Sequence, residues 1–135
     1  MQRVTELLFV APFELVRMTA IYSYRDLIVW QKSMLLVTDI YAASNSFPTQ
    51  EMYGLTNQLR RSAVSIPSNI AEGYGRHSTG DYKRFLQIAV GSLFELQTQV
   101  EIAFNLKYLA KDKFDTILGN TKELDRMLLS LIKKI

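Results

Sequence analysis

Apolar residues recur at spacings of three and four along four segments of this chain, the signature of amphipathic helices. The first segment runs from about Asp26 to Ser46, with Leu27, Trp30, Met34, Val37 and Tyr41 on one face. Phe47-Pro48 ends it, because a residue before proline is pushed out of the α region. The second runs from about Gln50 to Glu72, with a stripe of Leu55, Leu59, Ala63, Ile66 and Ile70. Thr49 is its expected N-cap, with Glu51 well placed in the first turn. Gly73 and Gly75 stop it.

The third segment runs from about Gly80 to Leu109. Ser78, followed three residues later by Asp81, is a capping arrangement. Phe85, Ala89, Leu93, Leu96, Val100 and Ala103 form its stripe. Leu86, Ile88, Val90, Phe94, Ile102 and Phe104 are apolar too and lie largely outside that stripe. A helix apolar on several faces must be covered on several faces, which points to self-association. The fourth segment runs from about Asp112 to Lys134. It has Phe114, Ile117, Leu118, Leu124, Leu128, Leu131 and Ile135 in its stripe, and Lys133 and Lys134 at the negative end of the helix dipole. No stretch alternates long enough to predict a strand. Short linkers between long helices predict an all-α four-helix bundle.

Residues 1–23 break the pattern: Pro12 interrupts them and no stripe persists. They are expected to form a weakly structured extension on a bundle of residues 24–135. Met18 stands just before the first strong helix, where a second start codon would stand. Arg3 ahead of "LLFVAPF" imitates a signal peptide. Glu6, Glu14 and Arg17 interrupt that region, and no small-residue cleavage site follows, so a leader is not expected. The run is also too short to span a bilayer, so no membrane partner is expected.

Composition narrows the chemistry. The 135 residues are 48% hydrophobic and 21% charged, a globular balance for one domain. Cysteine is absent, which excludes disulfides and thiolate metal sites and fits a cytoplasmic location. The net charge is +3, and between Arg60 and Arg84 five positive residues face two negative ones, leaving +3 there as well. Arg60, Arg61, Arg76, Lys83 and Arg84 are therefore the candidate contacts to an anionic partner such as RNA or DNA. A solvated helix surface is the alternative reading of the same charges.

The stretch "RRSAVSIPSNIAEGYGR" puts Pro67 inside the second helix, where it removes a hydrogen bond and predicts a kink. Around it, Gln58, Ser62, Ser65, Asn69 and Glu72 follow one another by three or four residues and share a face. Ser92, Glu95 and Gln99 make a comparable row on the third helix. We read Ser65, Asn69, Glu72, Ser92 and Glu95 as a structural polar seam between the two helices. Loss of Asn69 or Glu72 is then expected to cost about 1–3 kcal/mol. The competing reading is a carboxylate pair, Glu72 and Glu95, doing acid–base work, though no nucleophile accompanies it.

His77 is the only histidine, and Tyr74 stands three residues before it, so a di-iron bundle site and a zincin motif are both excluded. "EGYGRHSTGD" lacks the Gly-Lys-Ser/Thr of a phosphate loop. No cofactor, metal or catalytic residue is expected. Tyr41, Tyr82 and Phe94 are candidates for the core or for contacts between copies.

"YRDLIVWQKS", "FPTQEMYGLTNQLRRSAVSIPSNIAEGYGR" and "FLQIAVGSLFELQTQVEIAFNLKYL" together resemble the four-helix-bundle proteins encoded by intervening sequences in 23S ribosomal RNA genes. The resemblance covers about Tyr24 to Ile135 and centres on Ser-Ile-Pro-Ser-Asn-Ile-Ala-Glu-Gly. It implies an up-down-up-down bundle that assembles as a ring-like homopentamer, and it assigns no catalytic role. A related group, the accessory proteins of diversity-generating retroelements, resembles this family in fold and binds nucleic acid and a reverse transcriptase. Two functions follow as expectations. One is an oligomeric bundle associated with nucleic acid; the other is a scaffold that presents sites to a protein partner.

Overall fold

A computed structural model describes residues 20–135; the extension expected over residues 1–23 lies mostly outside the described residues. The described chain holds four α-helices: α1 (Ile28–Ser44), α2 (Leu55–Tyr74), α3 (Thr79–Asn105) and α4 (Lys111–Lys134). Short 3-10 turns at Tyr24–Asp26 and Thr49–Glu51 precede α1 and α2. No strand occurs among the described residues. Each helix packs on the next, and α4 also packs on α1, so the four surround one core. No helix among the described residues is long and apolar enough to cross a membrane.

The helix ends follow from local chemistry. Ser78 accepts the Asp81 N–H at 3.1 Å and starts α3, as its spacing predicts. Thr49 does not start α2, which begins instead after Gly54. There the Glu51 carboxylate reaches forward to accept the Leu55 N–H at 3.3 Å. A Cβ on Gly54 would come within 2.9 Å of that carboxylate, the mobile end of a side chain that would have to move aside. At the end of α3, Lys107 takes a left-handed φ of 65°, and the Tyr108 N–H turns back to the Ala103 carbonyl at 2.9 Å. The Tyr108 hydroxyl then donates to Glu51 at 3.0 Å, tying this turn to the entry of α2.

The stripes of α2, α3 and α4 face the core much as their periodicity predicts. Leu59, Ala63, Ile66 and Ile70 are buried, as are Ala89, Leu93, Leu96, Leu124, Leu128 and Leu131. The stripe expected on α1 holds only in part: Leu27 is buried and Trp30 and Val37 pack against the core, but the fully buried face lies elsewhere. That face is Val29, Ser33, Leu36, Ile40 and Ser44, whereas Met34 and Tyr41 are each 43% exposed. Two serines can sit on that face because each donates to its own helix: Ser33 to the Trp30 carbonyl at 2.8 Å and Ser44 to the Ile40 carbonyl at 2.7 Å. Before Tyr24, Ile21 is buried and its carbonyl accepts from the Tyr74 hydroxyl at 3.3 Å, so packing begins ahead of the expected boundary.

Candidate nucleic-acid interface

Pro67 lies buried within a continuous α2. It cannot donate to the Ala63 carbonyl. Its neighbours supply extra bonds to the next carbonyls: Ser68 donates to Val64 at 2.9 Å, and the Asn69 amide donates to Ser65 at 2.8 Å. The same Asn69 amide reaches the Ser65 hydroxyl at 3.0 Å. Ser65 and Ser92 share a hydrogen bond of 2.8 Å, and Ser62 donates to Glu95 at 2.8 Å. These pairs advance along α2 as they retreat along α3, so the two helices run antiparallel here.

Glu72 stands apart from these contacts. It is exposed and pairs with Arg76 one turn later, at 3.0 Å. Gly73 packs against Phe85, which sets Glu72 about ten residues of α3 away from Glu95. At 1.5 Å per residue that is about 15 Å. A carboxylate pair sharing a proton is therefore not formed, and no cluster of three or more His, Cys, Asp or Glu side chains among the described residues could hold a metal.

The five basic residues divide into two groups. Arg60 is drawn toward α1: its Nε donates to Ser44 at 2.9 Å, and its guanidinium lies 4.6 Å from the Tyr41 ring centre. It is partly buried and works as a tie between α1 and α2, which makes it a poor phosphate contact. Arg61, one residue on, is exposed and has no ion pair among the described residues.

Arg76, Lys83 and Arg84 gather at the α2–α3 turn. The guanidiniums of Arg76 and Arg84 lie 4.6 and 4.7 Å from the centre of the same ring, Phe85. The two charges are thus within about 9 Å of each other, held on one aromatic base. Phe85 is itself only 7% exposed. The Arg76 and Arg84 side chains remain 42% and 59% exposed. Each faces one carboxylate, Glu72 at 3.0 Å and Asp81 at 3.9 Å. Surface pairs of this kind are worth about 0–1 kcal/mol, so a phosphate can displace them. Sequence reasoning missed Phe85, since nothing in a helical stripe marks one core residue as the support of two arginines.

Comparison with known proteins agrees with this architecture. The family model described as 23S rRNA-intervening sequence protein matches residues 25–130. No curated protein matches the chain. Among solved structures, the chain is similar to the crystal structure of a protein of unknown function from the S23 ribosomal protein family of Bacteroides thetaiotaomicron. That likeness has 26% identity and a TM-score of 0.71, and it covers 78% of this chain and 99% of the other.

Proposed function

The chain belongs to the 23S rRNA-intervening sequence protein family, and on that premise we propose a non-enzymatic, oligomeric bundle of the cytoplasm that associates with RNA or DNA through Arg76, Arg84 and Lys83. The observation that carries this reading is the pair of exposed guanidiniums on Phe85. Such a pair meets phosphate oxygens as fixed charges and forks of donors, and it gives affinity with little sequence choice.

The bundle is proposed to run up-down-up-down and to assemble as a homopentamer. Ile88, Phe94 and Ile102 on the outside of α3, each more than 40% exposed, are apolar surface that a second copy would cover. Met34, Tyr41 and Val64, exposed along α1 and α2, favour a second reading in which this face docks a protein partner. The test is fluorescence anisotropy of a labelled RNA duplex at several salt concentrations. Arg76→Ala with Arg84→Ala should weaken binding and lower the slope of log K against log salt by about 2, close to 0.9 for each phosphate that is no longer neutralised. An unchanged slope, or a parent that binds neither RNA nor DNA at low salt, refutes the reading. A protein partner recovered after nuclease treatment would establish the second.

A further inference from the structure

Between α1 and α2 lies an open groove of about 360 Å³, walled by Trp30, Met34 and Val37 on one helix and by Val64, Pro67 and Ala71 on the other. These walls are apolar, yet Met34 is 43% and Val64 40% exposed. Apolar side chains gathered in one concave strip call for a cover. Tyr24, whose ring meets Trp30 edge-on, lines the end nearest the start of α1. At the other end Val64 also borders a second hollow, of about 600 Å³, where Arg60 and Arg61 stand.

The chain itself brings a cover to the Tyr24 end. Ile21 is buried with its carbonyl on the Tyr74 hydroxyl at 3.3 Å, and the Tyr22 and Ser23 N–H groups donate to the Asp26 carboxylate at 3.1 Å. The backbone is therefore held just ahead of Tyr24, and the residues before Ala20 set out from a fixed point beside the groove. They include Leu7–Phe13, "LLFVAPF", a run without one polar side chain. Reach is sufficient. Phe13 stands seven residues before Ala20, and at about 3.3 Å per residue an extended chain covers about 23 Å. Trp30 to Val37 takes up about 10 Å of α1 at 1.5 Å per residue.

The same connection decides between occupants. A segment tethered through a few residues has an effective concentration in the millimolar range, about a thousandfold above a second copy at micromolar concentration. The tethered run fills the groove first unless another guest binds about a thousandfold more tightly. The charges agree with this path. Laid from Tyr24 toward Val64, the run brings Glu6 to the end where Arg61 is exposed and has no ion pair among the described residues.

We propose that Leu7–Phe13 lies in the α1–α2 groove of its own chain, with its apolar side chains on Trp30, Met34 and Val64. The inference does not rest on the nucleic-acid reading. It bears on assembly, because a neighbouring copy that reaches Met34 and Val64 must first displace the run.

Trp30 is the only tryptophan, so its fluorescence reports on the groove in the full chain. In the parent, acrylamide should quench it weakly, and to the same extent at every protein concentration. Phe9→Asp with Phe13→Asp should raise the quenching and shift the emission to the red, while the helix signal in circular dichroism stays unchanged. A spin label gives a second reading that leaves the phenylalanines in place. The chain has no cysteine, so Ala11→Cys carries a single nitroxide. It should broaden the amides of Met34, Val37 and Val64 and spare Gln97 and Thr121, which meet where α3 packs on α4. Three results overturn the proposal. Quenching that falls as concentration rises gives the groove to a second copy. Broadening found only on isotope-labelled copies mixed with spin-labelled ones gives it to a neighbour's segment. Equal quenching of parent and double variant, with no broadening, leaves the groove to another protein or to solvent.

Discussion

Gly73 is a close approach of α2 to α3, and Gly73→Ala tests the packing that supports the arginine pair. A Cβ there would lie 2.7 Å from the Phe85 Cβ, 3.2 Å from the Tyr82 ring and 3.3 Å from the Tyr82 carbonyl. Carbon atoms sit comfortably at about 3.5–4.0 Å, so the overlap is about 1 Å. It falls on an atom fixed to the backbone, which no rotamer change can move. Relief requires the helices to separate, and overpacking of this kind costs typically 1–3 kcal/mol. Against it stands the better helix propensity of alanine, about 1 kcal/mol. The clash wins, because the whole α2–α3 contact must shift, and a net loss of up to about 2 kcal/mol is expected. Gly119→Ala is the control: it adds the same methyl within α4 where nothing lies within 4 Å. That variant should gain about 0.5–1 kcal/mol. Urea denaturation of the two variants reads both signs. If Gly73→Ala is as stable as the parent, the close approach of α2 to α3 is wrong, and with it the seat of Phe85.

Ser65→Ala removes the bond to Ser92 and should cost about 1 kcal/mol, with a double-mutant cycle against Ser92→Ala showing that the loss is shared. Glu72→Ala should change stability by less than about 0.5 kcal/mol, because its partner is Arg76 on the surface; a loss of several times that would restore it to the seam. Donation to Glu51 holds the Tyr108 hydroxyl above its usual pKa of 10.0. A raised folded pKa gives stability that is present below the unfolded value and lost as pH rises through the folded one. Tyr108→Phe should therefore be less stable than the parent at pH 8, and urea midpoints should show the gap narrowing as pH rises above the usual tyrosine value of 10.0. Phe94→Glu places charge on the exposed face of α3 and should lower the mass seen by light scattering without changing the helix signal in circular dichroism; an unchanged mass means α3 is not an inter-copy contact.

What the sequence revealed depended on how many faces of a helix were apolar. On α2 and α4 one stripe stands against a polar remainder, so periodicity picks the buried face correctly. On α1 two faces compete. Trp30, Met34, Val37 and Tyr41 look more apolar than a row containing Ser33 and Ser44, yet the serines are buried. Hydropathy counts a serine as polar and cannot see that its hydroxyl is already satisfied by the carbonyl a turn back. The seam was legible as a spacing: Ser62, Ser65 and Asn69 do meet α3 or one another. Glu72 obeys the same spacing but has an arginine four residues away, and that local partner holds it at the surface. The arginine pair was legible only as charge. Arg76 and Phe85 are joined across a turn, and no periodic rule links them.

The misread face of α1 bears on assembly. Met34 and Tyr41 are exposed beside Val64 of α2, while Ile88, Phe94 and Ile102 are exposed on α3. These are two different surfaces, not one surface repeated. A two-fold dimer buries the same patch on both partners, whereas unlike patches that meet form a head-to-tail contact. Head-to-tail contacts close into rings when the rotation between the patches allows it, and the proposed ring of five needs a turn of about 72° per copy. The proposed ring requires these two unlike patches to meet each other, with the copy number set by their angle around the bundle. That angle depends on the α2–α3 packing at Gly73 and Phe85. In the proposed ring, the packing that seats the arginine pair would also bear on how copies place those pairs relative to one another, and phosphate contacts from neighbouring copies would add.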